Sequence, residues 1–132
     1  MDYKGSPVAN GGFCLTLRDL ARFGILMLNH GHIDNDEVVP HQWVEDTLSN
    51  GSNAAWLPTI YAPIWPKGRY RNQWYVTGDD HGSFFGVGVN GQHLWVNPTT
   101  QVVIAKFSSD PASVNKEAMF LSMSAMDTIA RS

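Results

Sequence analysis

Gly86 and Gly88 stand two apart in the run Ser83-Phe84-Phe85-Gly86-Val87-Gly88-Val89, where an extended strand should carry packing side chains. Glycine weakens a strand interior and is kept there when a ligand or another backbone must come close. A substrate lying along that strand is one such ligand. Asn90-Gly91 follows directly, and both residues reach φ > 0 at little cost, which makes them a strong hairpin signal. Residues 84–89 are therefore expected to pair with 92–97, and the hairpin to border a groove. Asp79, Asp80 and His81 form the polar cluster adjoining this strand. A histidine beside carboxylates can serve as a base or a metal ligand. No second histidine or cysteine lies at ligand spacing from His81, so no metal is expected, and His81 reads as a loop residue at the mouth of the groove. His30 and His32 flank Gly31 at a helix end, where the dipole favours a cation. His93 alternates with Leu94 on a strand and reads as an outward residue or a satisfied core one. The single cysteine, Cys14, sits in the apolar run Phe13-Cys14-Leu15 and reads as a buried structural thiol.

The elements that must hold these residues can be followed along the chain. Thr16 followed by Asp19 is a capping-box-like start to a helix. Leu17, Leu20, Ala21, Gly24, Met27 and Leu28 recur at helical spacing, and Gly31 supplies the stop. A shorter helix is expected through residues 41–51, HQWVEDTLSNG, opened after Pro40 and closed by Asn50-Gly51. From Ser52 to Arg69 the prolines and aromatic residues show no period, which predicts a loop covering the edge of the core or facing a substrate. The run from Tyr70 to Val76 reads as one aromatic strand, and three further antiparallel strands fill Ser83–Ser109. A C-terminal helix closes the chain, with Ser113 as N-cap and Ala118, Leu121, Ala125, Met126 and Ile129 on its core stripe. Helices, then strands, then a helix make an α+β layout in one domain without internal repeats.

Composition limits the partners. With 132 residues, 43% hydrophobic and 16% charged, the chain can bury a core. A formal charge of −3 and nine scattered Lys+Arg offer no basic stripe for nucleic acid, and no apolar run approaches the length of a membrane span. The first twelve residues lack the charged and apolar regions of a signal peptide, so they carry no export address. The compartment is not legible.

Three groups of residues carry a family resemblance: Asn10-Gly11-Gly12-Phe13, the run Thr16-Leu17-Arg18-Asp19-Leu20-Ala21-Arg22-Phe23-Gly24, and Gly91-Gln92-His93-Leu94-Trp95-Val96-Asn97-Pro98. Together they resemble the C-terminal portion of the serine β-lactamase-like hydrolases, in the class C and 6-aminohexanoate-dimer hydrolase branch. The resemblance implies an antiparallel sheet flanked by helices, with residues 1–132 forming part of a larger domain. It also implies acyl transfer to a serine in an S-x-x-K motif, a tyrosine in a second motif, and a third motif, Lys-Thr-Gly or a variant, on a strand lining the cleft. The first two motifs would lie before Met1. Substrates would be small amides or esters, without a cofactor, and the partner would be the N-terminal portion of the same protein or a second copy. The rival reading is a non-catalytic binding or structural module that retains the fold.

Two departures bear on activity. Ser113-Val114-Asn115-Lys116 fits S-x-x-K and Tyr70-Arg71-Asn72 fits a tyrosine motif, but their order is reversed relative to the family. With ten serines and four lysines, about 0.3 such Ser-Lys matches arise by chance, and Ser113 is given no catalytic role. By position, Val87-Gly88-Val89 replaces Lys-Thr-Gly, leaving a neutral wall suited to amides or esters that lack a carboxylate. The backbone N–H of Val89 would then donate to the oxyanion, with Val87, Gly88, Asn90 and His81 around the substrate.

Overall fold

Thr16 caps the first helix, α1 (Leu17–Leu28), as its spacing from Asp19 predicts. In the computed structural model, which describes Gly5 and residues 14–132, the Thr16 hydroxyl accepts the Asp19 N–H at 3.2 Å and donates to the Asp19 carboxylate at 2.7 Å. The Asn10–Phe13 motif lies outside the described residues. Helix α1 stops where His30 and Gly31 turn left-handed, at φ +52° and +89°. Their N–H groups donate to the Met27 and Leu26 carbonyls, satisfying the helix end through backbone alone. The His30 imidazole, expected to act on the helix dipole, instead lies 2.9 Å from the Glu45 carboxylate. Cys14 is exposed, not buried, because it precedes the helix cap at the surface.

A two-strand hairpin that sequence spacing did not reveal, β1 (His32–Ile33) and β2 (Asp36–Glu37), leads to α2 (His41–Ser49). The aperiodic stretch after it contains a single helical turn, α3 (Asn53–Trp56), and sends its rings inward: Trp56, Tyr61 and Trp65 are all buried. The Trp56 indole N–H donates to the Trp65 carbonyl at 2.7 Å, so burial leaves that donor paired.

The sheet is antiparallel throughout, in the order β3 (Arg69–Arg71), β4 (Trp74–Val76), β5 (Phe84–Gly88), β6 (Gln92–Asn97) and β7 (Val102–Lys106). The single strand expected over residues 70–76 is a hairpin. Asn72 and Gln73 both take positive φ and turn the chain between β3 and β4. Asn90 and Gly91 have positive φ as expected, but Gly88 pairs with Gln92, so Val89 joins them in a three-residue loop. Strand alternation sorts the sheet's side chains onto two faces. Tyr75, Phe85 and Trp95 stand in one cross-strand row, with Phe85 stacked at 5.1 Å on Tyr75 and 5.2 Å on Trp95. The loop aromatics and α4 (Lys116–Arg131) cover that face. Phe84, Leu94 and Val96 face the other way, against α1 and α2. This is the expected α+β arrangement of helices about an antiparallel sheet.

Helix α4 corrects two expectations. Asn115, not Ser113, accepts the capping hydrogen bond from Ala118. Met119, Met123, Met126 and Ala130 are buried, whereas Leu121, Ala125 and Ile129 are exposed. Both stripes run at helical spacing, and the sheet takes the methionine one. Among the described residues, no helix is long and apolar enough to cross a membrane.

Candidate functional site

The two glycines of β5 lie where the sheet opens. Strand β4 pairs with β5 only at Phe84 and Phe85, whereas β6 follows it as far as Gly88. From Gly86 to Gly88, β5 therefore has a strand neighbour on one side only among the described residues, and its other edge is open. A methyl group added at Gly86 would meet nothing within 4 Å, but one at Gly88 would press on the Gln92 side chain at 2.9 Å. Gly88 thus serves cross-strand packing, and the open space at Gly86 lies on the Leu94 face of the sheet.

A cavity of about 250 Å³ adjoins this edge. Its floor is the cross-strand row Val87, His93 and Lys106, and its walls include Gly88, Val89, Tyr61, Ser108 and Met119. The far wall is held by the turn. The Asn90 N–H donates to the Ser113 carbonyl at 3.0 Å, and the Asn90 side-chain amide donates to the Asp110 carbonyl at 2.8 Å. Gln92 exchanges a second pair of hydrogen bonds with Ser108.

The electrostatics of the floor are unusual. His93 is 3% exposed, and neither ring nitrogen has a hydrogen-bond partner. Burial, aided by the Lys106 ammonium, pushes its pKa down to about 4, so the ring is neutral at pH 7. The Lys106 ammonium donates to the Gly91 carbonyl at 2.9 Å. Tyr61 is pushed up to about 12, first by burial and then by Tyr75, so it stays a phenol across ordinary pH.

Of the residues the sequence singles out, Val87, Gly88 and Val89 line the cavity together. Asn90 lies behind them as a fastener. His81 is not with them: it belongs to the connection entering the opposite end of β5, where Asp79 accepts the His81 and Ser83 N–H groups and pairs with Arg131 at 2.6 Å. The neutral wall needs correcting as well. No lysine stands on β5, but the β6–β7 register brings Lys106 into the same cavity. His93, read as outward or satisfied, is buried and unsatisfied. Strand alternation placed it on the same face as Val87, and that pairing is the signal that could have found it.

No protein-family model matches the chain. A curated relative, the 6-aminohexanoate-dimer hydrolase of Paenarthrobacter ureafaciens, is 42% identical over 111 residues, which are 84% of this chain and 28% of the relative. By sequence, this chain is a relative of part of a 6-aminohexanoate-dimer hydrolase. The fold agrees. A solved structure from Bacillus anthracis, provisionally given the same name, matches 87% of the chain at 32% identity with a TM-score of 0.66. The chain spans 28% of that protein also, so it corresponds to little more than a quarter of either hydrolase.

In this relative of the hydrolases, the two short catalytic-looking patterns have structural duties. Ser113 borders the cavity, but Tyr70 lies in a separate hollow with Ser52 and Trp56. Asn72 donates to Asp46 and Thr47, tying the β3–β4 turn to α2. Serine, lysine and tyrosine therefore do not converge here. A second constellation was invisible in sequence: among the described residues, His30, His41 and Glu45 bring one ligand atom each to within 4.8 Å of the others.

Proposed function

We propose that this chain forms one wall of the active site of a serine hydrolase that cleaves amide or ester bonds through an acyl-enzyme. The observation that carries the reading is the open edge of β5, where Val87, Gly88 and Val89 line the cavity. The similarity to 6-aminohexanoate-dimer hydrolases supports hydrolysis as the reaction class. The serine and its lysine and tyrosine partners would come from the part of the hydrolases that this chain does not match. The β-lactamase-like resemblance implies their S-x-x-K arrangement, in which the base removes the serine proton as the hydroxyl attacks the carbonyl.

The chain's own contribution is electrostatic. As the carbonyl oxygen gains charge, the Val89 N–H would donate to it together with the N–H of the nucleophile. Losing one such donor costs on the order of 3 kcal/mol, roughly 10²- to 10³-fold in rate. Lys106 and the neutral His93 ring would meet the polar end of the bound substrate, giving the cavity a donor set that a purely neutral wall lacks.

Proline at position 89 tests this, because it deletes the N–H and little else. Gly88 before it is extended at φ −112° and ψ 163°, which a following proline accepts. In the protein carrying this chain at the full length of the hydrolase relatives, Val89→Pro should lower kcat on a nitrophenyl ester and a linear amide about 100-fold or more. Val89→Ala, which keeps the N–H, should retain activity. Equal activity in both variants would remove the oxyanion role, and a full-length protein that binds such substrates without turnover would favour the non-catalytic module.

A further inference from the structure

Between Phe23 and Pro66 the chain has no lysine or arginine, yet it carries three of its five histidines and the acidic residues Asp34, Asp36, Glu37, Glu45 and Asp46. The fold gathers part of this set. The left-handed turn that ends α1 presents His30, while His41 and Glu45 stand four apart on α2, one helical turn and therefore one face. His30 Nδ1 lies 2.9 Å from Glu45 Oε1, and the His30 and His41 rings are 5.4 Å apart.

We propose that His30, His41 and Glu45 form a surface site for a borderline divalent transition-metal ion of the zinc class. Two imidazoles and one carboxylate are a donor set that suits zinc and leaves a fourth position open. Tetrahedral coordination with bonds of about 2.1 Å needs ligand atoms about 3.4 Å apart. The three atoms already lie within 4.8 Å of one another, and small rotations of these solvent-facing side chains supply the difference. The surrounding charge favours a cation, since Asp34, Asp36 and Glu37 are exposed on the adjoining hairpin and connection. The positive end of α2 is already countered, because the Glu37 carboxylate accepts the His41 N–H at 2.6 Å. His32 adds a nearby imidazole, its ring 6.5 Å from that of His41. Bound metal would join the end of α1 to α2 across the β1–β2 hairpin. The site does not involve the β5 cavity, so it stands or falls independently of the hydrolase reading.

The test is titration of the tag-free 132-residue chain with zinc chloride by calorimetry, with magnesium chloride as the hard-cation comparison and histidine ring resonances followed by NMR. The expected result is one saturable zinc site, no comparable magnesium binding, and shifts confined to the histidines of this segment. His30→Ala and His41→Ala should each weaken zinc binding at least tenfold. Glu45→Gln, which keeps the shape of the side chain, should weaken it as well. Absence of saturable zinc binding, or binding unchanged in the His30→Ala/His41→Ala double variant, would overturn the proposal. So would ring shifts at His81 or His93 in place of His30 and His41.

Discussion

His93 is the residue whose chemistry is least explained by packing alone. Two unpaired imidazole nitrogens in the interior each forgo hydrogen bonds to water, at a cost of about 1–3 kcal/mol. Folding also forces the ring neutral, because burial and Lys106 depress its pKa from 6.5 to about 4. The sign follows from proton binding. Between pH 6.5 and 4 the unfolded state holds more protons on this group than the folded state, so stability falls as pH falls through that window. The loss reaches on the order of 3 kcal/mol near pH 4. His93→Leu should therefore be as stable as the parent or more so at pH 7, and should lose less stability between pH 7 and 4.5 in urea melts. Parallel losses in the two proteins would show that His93 titrates normally. If the proposed reading holds, then in a protein carrying this chain at the full length of the hydrolase relatives the same variant, and Lys106→Met, should raise KM more than they lower kcat, because the floor would contact the polar end of the substrate. The pairing of His93 with Val87 follows from the expected hairpin, but the burial of its ring and the approach of Lys106 do not, because residues 93 and 106 are thirteen positions apart and meet only through the β6–β7 register.

At the scale of elements, local signals were legible wherever a backbone conformation demands a particular residue. The Thr16–Asp19 cap, the stop at Gly31 and the second helix after Pro40 stand where the sequence puts them, and the Asn90-Gly91 turn does so with Val89 added to its loop. The β3–β4 hairpin was missed because its turn uses Gln73 at φ 68°, a residue with no special preference for that region. The glycines also separate two duties that sequence cannot distinguish. Gly24 lets α1 sit close on the sheet, since a Cβ there would come within 2.5 Å of Val103 and 2.9 Å of Leu94. Gly24→Leu should destabilise by about 1–3 kcal/mol through overpacking, read as a lower urea midpoint with unchanged slope. Gly86→Val has open space to enter on the Leu94 face, away from the cavity, so its urea midpoint should change little, and a midpoint lowered as far as that of Gly24→Leu would show that this space is filled.

At the scale of the molecule, the exposed stripe of α4 is the informative misreading. Leu121, Ala125 and Ile129 repeat at four-residue spacing, the pattern of a buried face, and that spacing predicts a place in the core. Yet Leu121 is 72% and Ile129 58% exposed, while the parallel methionine stripe meets the sheet. A helix with two apolar stripes is built to be covered from two sides. On the same side of the problem stands β7, the terminal strand of the sheet, whose five residues are all only half-buried and whose outer edge carries no partner strand among the described residues. Unpaired edges and contiguous apolar stripes seek cover. The chain accounts for 28% of its hydrolase relatives, and we propose that the unmatched part of such a protein is what covers them. Expressed by itself, the chain should then be inactive on nitrophenyl esters and should associate in light scattering. Leu121→Glu with Ile129→Glu should release a single-chain species whose thermal midpoint is unchanged, because neither residue packs in this chain's core. A parent chain that is already a stable monomer, indifferent to both substitutions, would mean that these surfaces need no cover and would return the non-catalytic module to contention.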